Sequence, residues 1–272
     1  MNNRTSDSIL PSLALPDAGW GHALAALGKA KAEQRSLSDI LSGLPINACH
    51  EILGKDKGDA ASLFGFGAML AAMLSTKRPD APCFFVRSLR RRGGQLYPPG
   101  LTELGLDPDR CFSVHTPDLL AALKATADIA RSGAAGAVLV EIEGNPRLLD
   151  LTASRRLALS AEKSGTAVLL LRMGAREAPS AAYSRWQVAS APSTPLLADA
   201  PGGPTFDITM LRHRRLASGQ SAQLIWNLNE QKFDEQFATQ SPQSDSAGKT
   251  TFGRLFSLAA RRATDPHTRR AA

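Results

Sequence analysis

Residues 48–74 read ACHEILGKDKGDAASLFGFGAMLAAML, and the order of chemistry along them sets the fold class. The segment 48–53 predicts a strand that enters a turn at Gly54. The turn is polar and carries two glycines, Gly54 and Gly58. From Ala60 to Leu74 the residues are small and apolar on nearly every side. That is the pattern of a helix surrounded by protein. A strand, a glycine-bearing turn and a buried helix in that order open a nucleotide-binding α/β unit.

Downstream the alternation repeats. Strands are predicted at 82–86 and 111–114, with a short helix over 100–104 between them. Thr116 is expected to cap the next helix, with Pro117 at its first position, and that helix stops at Gly133. The run 137–142 is a third strand. Thr152 is the expected cap of a helix ending at Gly165, and 166–171 is a fourth strand. Strands this apolar are covered on both faces, so the class is α/β with a mainly parallel sheet and helices on both sides. Segments 183–189, 206–213 and 222–228 alternate apolar and polar residues and are expected to be antiparallel edge strands. Upstream, 18–31 carries one apolar helical stripe. The expected division is a helical N-terminal arm over 1–45, a core domain over 46–230 and a flexible basic C-terminal tail over 231–272. Within the tail, 252–262 is expected to form a short amphipathic element that folds on a partner.

Apolar residues form 43% of the 272-residue chain, aromatics only 6%, and the formal net charge is +7. Such a balance permits contact with nucleic acid or an acidic partner without requiring it. Cys49, Cys83 and Cys111 are too far apart for a metal or redox motif, and the odd count speaks against a disulfide framework. They are expected to be reduced, buried thiols. No apolar run reaches the length of a membrane span and no signal pattern opens the chain, so a cytoplasmic protein without membrane contact is expected. The five histidines do not sit at metal-ligand spacing, so neither a metal site nor a catalytic set is expected.

The turn lacks what a phosphate-binding loop needs. That loop has the form G-x-x-x-x-G-K-[ST], in which the lysine neutralises the phosphates and the hydroxyl holds magnesium. Counting from Gly54 puts Asp59 at the second glycine, Ala60 at the lysine and Ala61 at the hydroxyl. Taking Gly58 as the second glycine puts Asp59 at the lysine and Ala60 at the hydroxyl. In both registers the ammonium and the magnesium ligand are gone. Glu141, on the apolar strand 137–142, is the residue placed to serve as a magnesium-side acid, and it is expected to pair with a nearby arginine instead. No ATPase activity and no cofactor are therefore expected.

Several segments together resemble RecA, and the ordered set is more similar to the ImuA family, the RecA-like proteins of bacterial damage-induced mutagenesis. The residues that carry the resemblance are HEILG (50–54), LYPPGLTELGLDPDR (96–110), LLAALKATADIARSG (119–133), LDLTASRRLALSAEKSG (149–165) and SRWQVASAPS (184–193). The resemblance implies a RecA-like fold and a non-catalytic accessory role in SOS-induced, error-prone translesion DNA synthesis. It implies as partners ImuB (a Y-family polymerase homologue), RecA, a DnaE-type polymerase or DNA. In RecA-like folds the loops after the third and fourth strands approach DNA; here they correspond to 144–147 and 173–184. Candidate DNA or partner contacts are Arg147, Arg172, Arg176 and Arg185, the run Arg87, Arg90, Arg91 and Arg92, and the cluster Arg212, Arg214 and Arg215. The cell-division inhibitor SulA is also RecA-like without a working phosphate loop, so an FtsZ-binding inhibitor is the alternative.

Overall fold

The computed structural model describes residues 35–88 and 95–236. The helix expected at 18–31, the arginines at 90, 91 and 92, and the element expected at 252–262 lie outside them.

A nine-stranded sheet forms the centre, in the order β3-β2-β4-β5-β1-β6-β7-β8-β9. The strands are β1 (Cys49–Gly54), β2 (Cys83–Ser88), β3 (Cys111–Thr116), β4 (Ala137–Glu143), β5 (Ala167–Met173), β6 (Ser184–Ser190), β7 (Thr205–His213), β8 (Ser221–Asn227) and β9 (Lys232–Glu235). All pairings from β3 to β6 are parallel, and those from β6 to β9 are antiparallel. The helices are α1 (Leu37–Ser42), α2 (Ala60–Ser75), α3 (Pro98–Glu103), α4 (Leu119–Ser132) and α5 (Leu151–Ser164). One apolar core joins α2 to one face of the sheet, with Leu41, Leu101 and Phe233 from α1, α3 and β9. A second lies under α4 and α5 on the other face, around Val138, Val140, Leu157 and Val168. The expected α/β class, with a mainly parallel sheet between helices, is the observed one. No described helix is long and apolar enough to cross a membrane.

The structure corrects several local expectations. Segment 183–189 does not form an antiparallel edge strand: β6 runs parallel to β1 and lies between β1 and β7. Its Ser184 and Arg185 are buried and paired rather than solvated. β9 carries the sheet past residue 230, and α1 lies before residue 46 yet packs on the same core. The caps are Asp118 and Asp150, not Thr116 and Thr152. Asp118 Oδ1 accepts from the Ala121 amide at 2.8 Å, and Asp150 Oδ1 from the Ala153 amide at 2.7 Å. Each carboxylate satisfies an otherwise orphaned amide and complements the helix dipole. Thr116 is the last residue of β3, and its hydroxyl donates to the Arg87 carbonyl at 3.1 Å.

The smallness of α2 is a packing requirement. A Cβ added at Gly67 would lie 2.6 Å from Leu171 Cδ2 on β5, and Leu171 is fully enclosed. Gly67→Ala is expected to force α2 off the sheet at a cost of about 1–3 kcal/mol, because overpacking a filled core strains rotamers and backbone. A lower denaturation midpoint at unchanged slope is the measurement that checks it.

Candidate functional site

The carboxyl ends of the parallel strands carry the Gly54 turn, Glu141 and Arg172. β1 ends at Gly54 and α2 starts at Ala60, with a single 3₁₀ turn over Lys57–Asp59 between them. In a phosphate-binding loop the amides of this connection face the ligand. Here three are already engaged. The Lys55 amide donates to the Val188 carbonyl at 2.9 Å and the Asp59 amide to the Asp56 carbonyl at 3.2 Å. The Asp56 amide donates to Asp59 Oδ2 at 3.0 Å. Asp59 Oδ1 in turn accepts from the amide and hydroxyl of Ser190, both at 3.4 Å. An internal carboxylate thus stands at the start of α2, where the helix dipole favours an anion. A Cβ at Gly54 would make ordinary contacts, 3.4 Å from the Asp56 carbonyl and 3.8 Å from Asp59 Cβ. Ala60 and Ala61 form the first turn of α2 and offer only methyl groups.

Glu141 sits on β4 and is held at 3.0 Å by Arg87 Nη2 from β2. The expected arginine pairing is present, with both side chains largely buried.

A second carboxylate, Glu51 in the middle of β1, was not singled out from the sequence. It is 1% exposed. Arg172 Nη1 donates to its Oε1 at 2.6 Å, and Arg185 Nε to its Oε2 at 2.8 Å. The same two arginines also pin loops: Arg172 Nη2 donates to the Gly144 carbonyl at 2.8 Å and Arg185 Nη2 to the Ala178 carbonyl at 2.6 Å. Burial pulls the Arg172 guanidinium below its ordinary value, opposed by the charge and hydrogen bond of Glu51. Arg172 and Arg185, expected as phosphate contacts, are therefore spent on an internal ion triad and are not available to a ligand. The signal that could have found it is a charged residue inside an apolar strand, which demands a buried partner.

The remaining candidates separate into two places. Arg147 and Arg176 are exposed on the loops after β4 and β5. Asn145 clasps those loops: its Oδ1 accepts from the Arg176 amide and its Nδ2 donates to the Arg176 carbonyl, both at 2.9 Å. Arg212, Arg214 and Arg215 are exposed at the end of β7. Arg212 Nη1 donates to the Ser180 carbonyl at 2.5 Å. Among the described residues no cluster of His, Cys, Asp and Glu has the arrangement of a metal site. A cavity of about 190 Å³ lies beside Cys83, Leu106 and Cys111, and one of about 260 Å³ beside Asn47, Tyr183, Arg214 and Arg215. No residue of the Gly54–Asp59 turn lines either one.

No protein-family model matches the chain. Among curated proteins it is similar to Protein ImuA of Caulobacter vibrioides, in strains NA1000 and CB 15, at 31% identity over 165 residues. The match covers 56% of this chain, and it spans 64% of the length of those relatives. Among solved structures a crystal structure of the RadB recombinase covers 73% of this chain and 96% of its own, with TM-score 0.48 and 15% identity.

Proposed function

We propose, from the likeness to ImuA that supports assigning this chain to the ImuA family, that it is a non-catalytic RecA-like accessory protein of damage-induced mutagenesis. It acts by contact, with an ImuB-type polymerase homologue, RecA, a DnaE-type polymerase or DNA as partners, and it turns over no ATP. The observation that carries this reading is the β1–α2 turn, whose amides close on Asp59 and the protein's own carbonyls. A triphosphate entering there meets a carboxylate where it needs an ammonium group. At contact distance that repulsion is of order kcal/mol even with surface screening. The Arg87–Glu141 pair supports the same reading, because a carboxylate held by a guanidinium is a poor magnesium ligand.

Equilibrium dialysis against ATP and magnesium is expected to show no retained nucleotide. The purified chain is expected to hold an ImuB-type homologue through gel filtration. Magnesium-dependent ATP hydrolysis that disappears in a Glu141→Ala variant would sink the proposal.

A further inference from the structure

We propose that the cavity holding Arg214 and Arg215 seats a phosphate group of single-stranded nucleic acid. This deepens the reading that the chain works through contacts, and it gives one of those contacts a place and a chemistry. The cavity, of about 260 Å³, opens at the amino-terminal ends of β1 and β6, beside Asn47, Cys49 and Tyr183. That is the end of the sheet opposite the Gly54 turn, away from Arg147 and Arg176.

The backbone that carries the two cations is built into position. The Arg214 amide donates to the Tyr183 carbonyl at 2.9 Å, and the Tyr183 amide to the Cys49 carbonyl at 2.7 Å, so this stretch is anchored to β1 through β6. The Arg215 amide donates to His213 Nδ1 at 3.2 Å. Tyr183 and His213 are in edge-to-face contact, with ring centroids 5.1 Å apart. Both arginines are exposed, and neither guanidinium has a hydrogen-bond or ion-pair partner among the described residues. Two like charges on one cavity wall repel each other, and an oxyanion between them relieves that repulsion. Asn47 and Tyr183 line the same cavity and carry side chains able to donate to an oxyanion. Because the backbone is fixed beforehand, the ordering cost on binding is confined to the side chains.

The chemistry favours a nucleic-acid strand over an acidic protein. The site is concave and small, suited to one phosphate with its sugar, and basic groups beside an aromatic ring are the combination that holds single strands. Glu162 also lines the cavity and repels anions. It limits the site to a single phosphate and disfavours the dense charge of a polyacidic segment.

Fluorescence anisotropy with a labelled oligothymidine, followed over a salt series, tests this. Arg214→Ala with Arg215→Ala is expected to weaken binding at least about 10-fold and to flatten the logarithmic salt slope by about 1. Glu162→Gln is expected to tighten binding. Both variants are expected to melt like the parent protein, since these side chains are exposed. The proposal is overturned if the parent protein does not bind the oligonucleotide, or if the double variant binds as well as the parent. It is also overturned if polyglutamate, and not oligothymidine, is the polyanion whose binding depends on these arginines. Inorganic phosphate binding as tightly as the oligonucleotide would likewise overturn it in favour of a free anion. ATP retained in dialysis would defeat the non-catalytic reading and leave this result standing.

Discussion

Glu51→Ala is expected to destabilise the fold by about 3–5 kcal/mol, the cost of leaving buried charge without its counterion. For a domain of this size the melting temperature should fall by on the order of 10 °C. The size follows from what remains behind. Arg172 and Arg185 are 4% and 6% exposed, and both would keep a full charge in the interior. The Arg172 Nε already lacks a partner, whereas Arg185 keeps a long contact to Glu177 Oε2 at 3.5 Å, so Arg172 is the guanidinium left without a carboxylate. The damage should spread to the loops after β4 and β5, because the same guanidiniums hold the Gly144 and Ala178 carbonyls. Limited proteolysis should therefore cut the variant near 144–150 or 174–183 before the rest of the chain. A triple replacement by apolar residues of similar volume, Glu51→Leu with Arg172→Met and Arg185→Leu, should recover most of the loss, since removing all the charges also removes the desolvation cost. Chemical denaturation of the three proteins decides it: equal midpoints for the parent and Glu51→Ala would mean that water reaches this site.

The same triad marks where sequence reasoning stops. The β-α repeats from Cys49 to Met173 were legible because β4 and β5 are largely apolar and the helices α4 and α5 end at glycines, Gly133 and Gly165. β6 was misassigned because Ser184, Arg185 and Gln187 alternate with apolar residues like a strand wet on one face. In the fold, Ser184 and Arg185 are buried and satisfied by His50 and Glu51 on the neighbouring strand. Local alternation cannot distinguish a polar group facing water from one facing a partner brought in from more than a hundred residues away. The cap errors have a more local cause. Thr116 and Asp118 compete within two residues, as Asp150 and Thr152 do, and in both cases the extended backbone at the aspartate places its carboxylate over the helix start.

The candidate site divides in the same way. The loss of a lysine and a hydroxyl at the turn is written in the residues 54–61 themselves. That Asp59 also occupies the anion position, through Asp56 and Ser190, needs the fold, because Ser190 arrives from the end of β6. The arginine clusters show the limit most clearly: eleven side chains of one chemistry were candidates. Burial separates Arg172 and Arg185, which hold the protein together, from Arg214 and Arg215, which face solvent.

Acid should weaken the fold through His50. Its ring is fully buried on β1, with Nε2 2.9 Å from the Pro45 carbonyl and Nδ1 2.8 Å from Ser184 Oγ. A carbonyl only accepts, so Nε2 carries the proton and Nδ1 accepts from the Ser184 hydroxyl. That hydroxyl oxygen in turn accepts from Trp186 Nε1 at 2.8 Å. Protonating Nδ1 would leave two hydrogens facing each other inside the core. Burial accordingly pulls the His50 pKa down to about 4; the Pro45 bond opposes this, and His213 and Lys77 add repulsion. With a folded pKa below the unfolded one of about 6.5, the unfolded chain binds the extra proton between these values. Stability from this group is complete above pH about 6.5, is lost as pH falls toward about 4, and changes no further below that. The full difference is about 3 kcal/mol at about 1.4 kcal/mol per pKa unit. Carboxylates titrate in the same window, so the measurement is a difference: urea denaturation of the parent protein and of His50→Gln from pH 7 to pH 4. The glutamine variant should be less stable at pH 7, and the gap should narrow steadily with acid. A gap that stays constant across the window would mean that His50 takes up its proton equally in the folded and unfolded chains, so that the Trp186–Ser184–His50 chain does not favour the neutral ring.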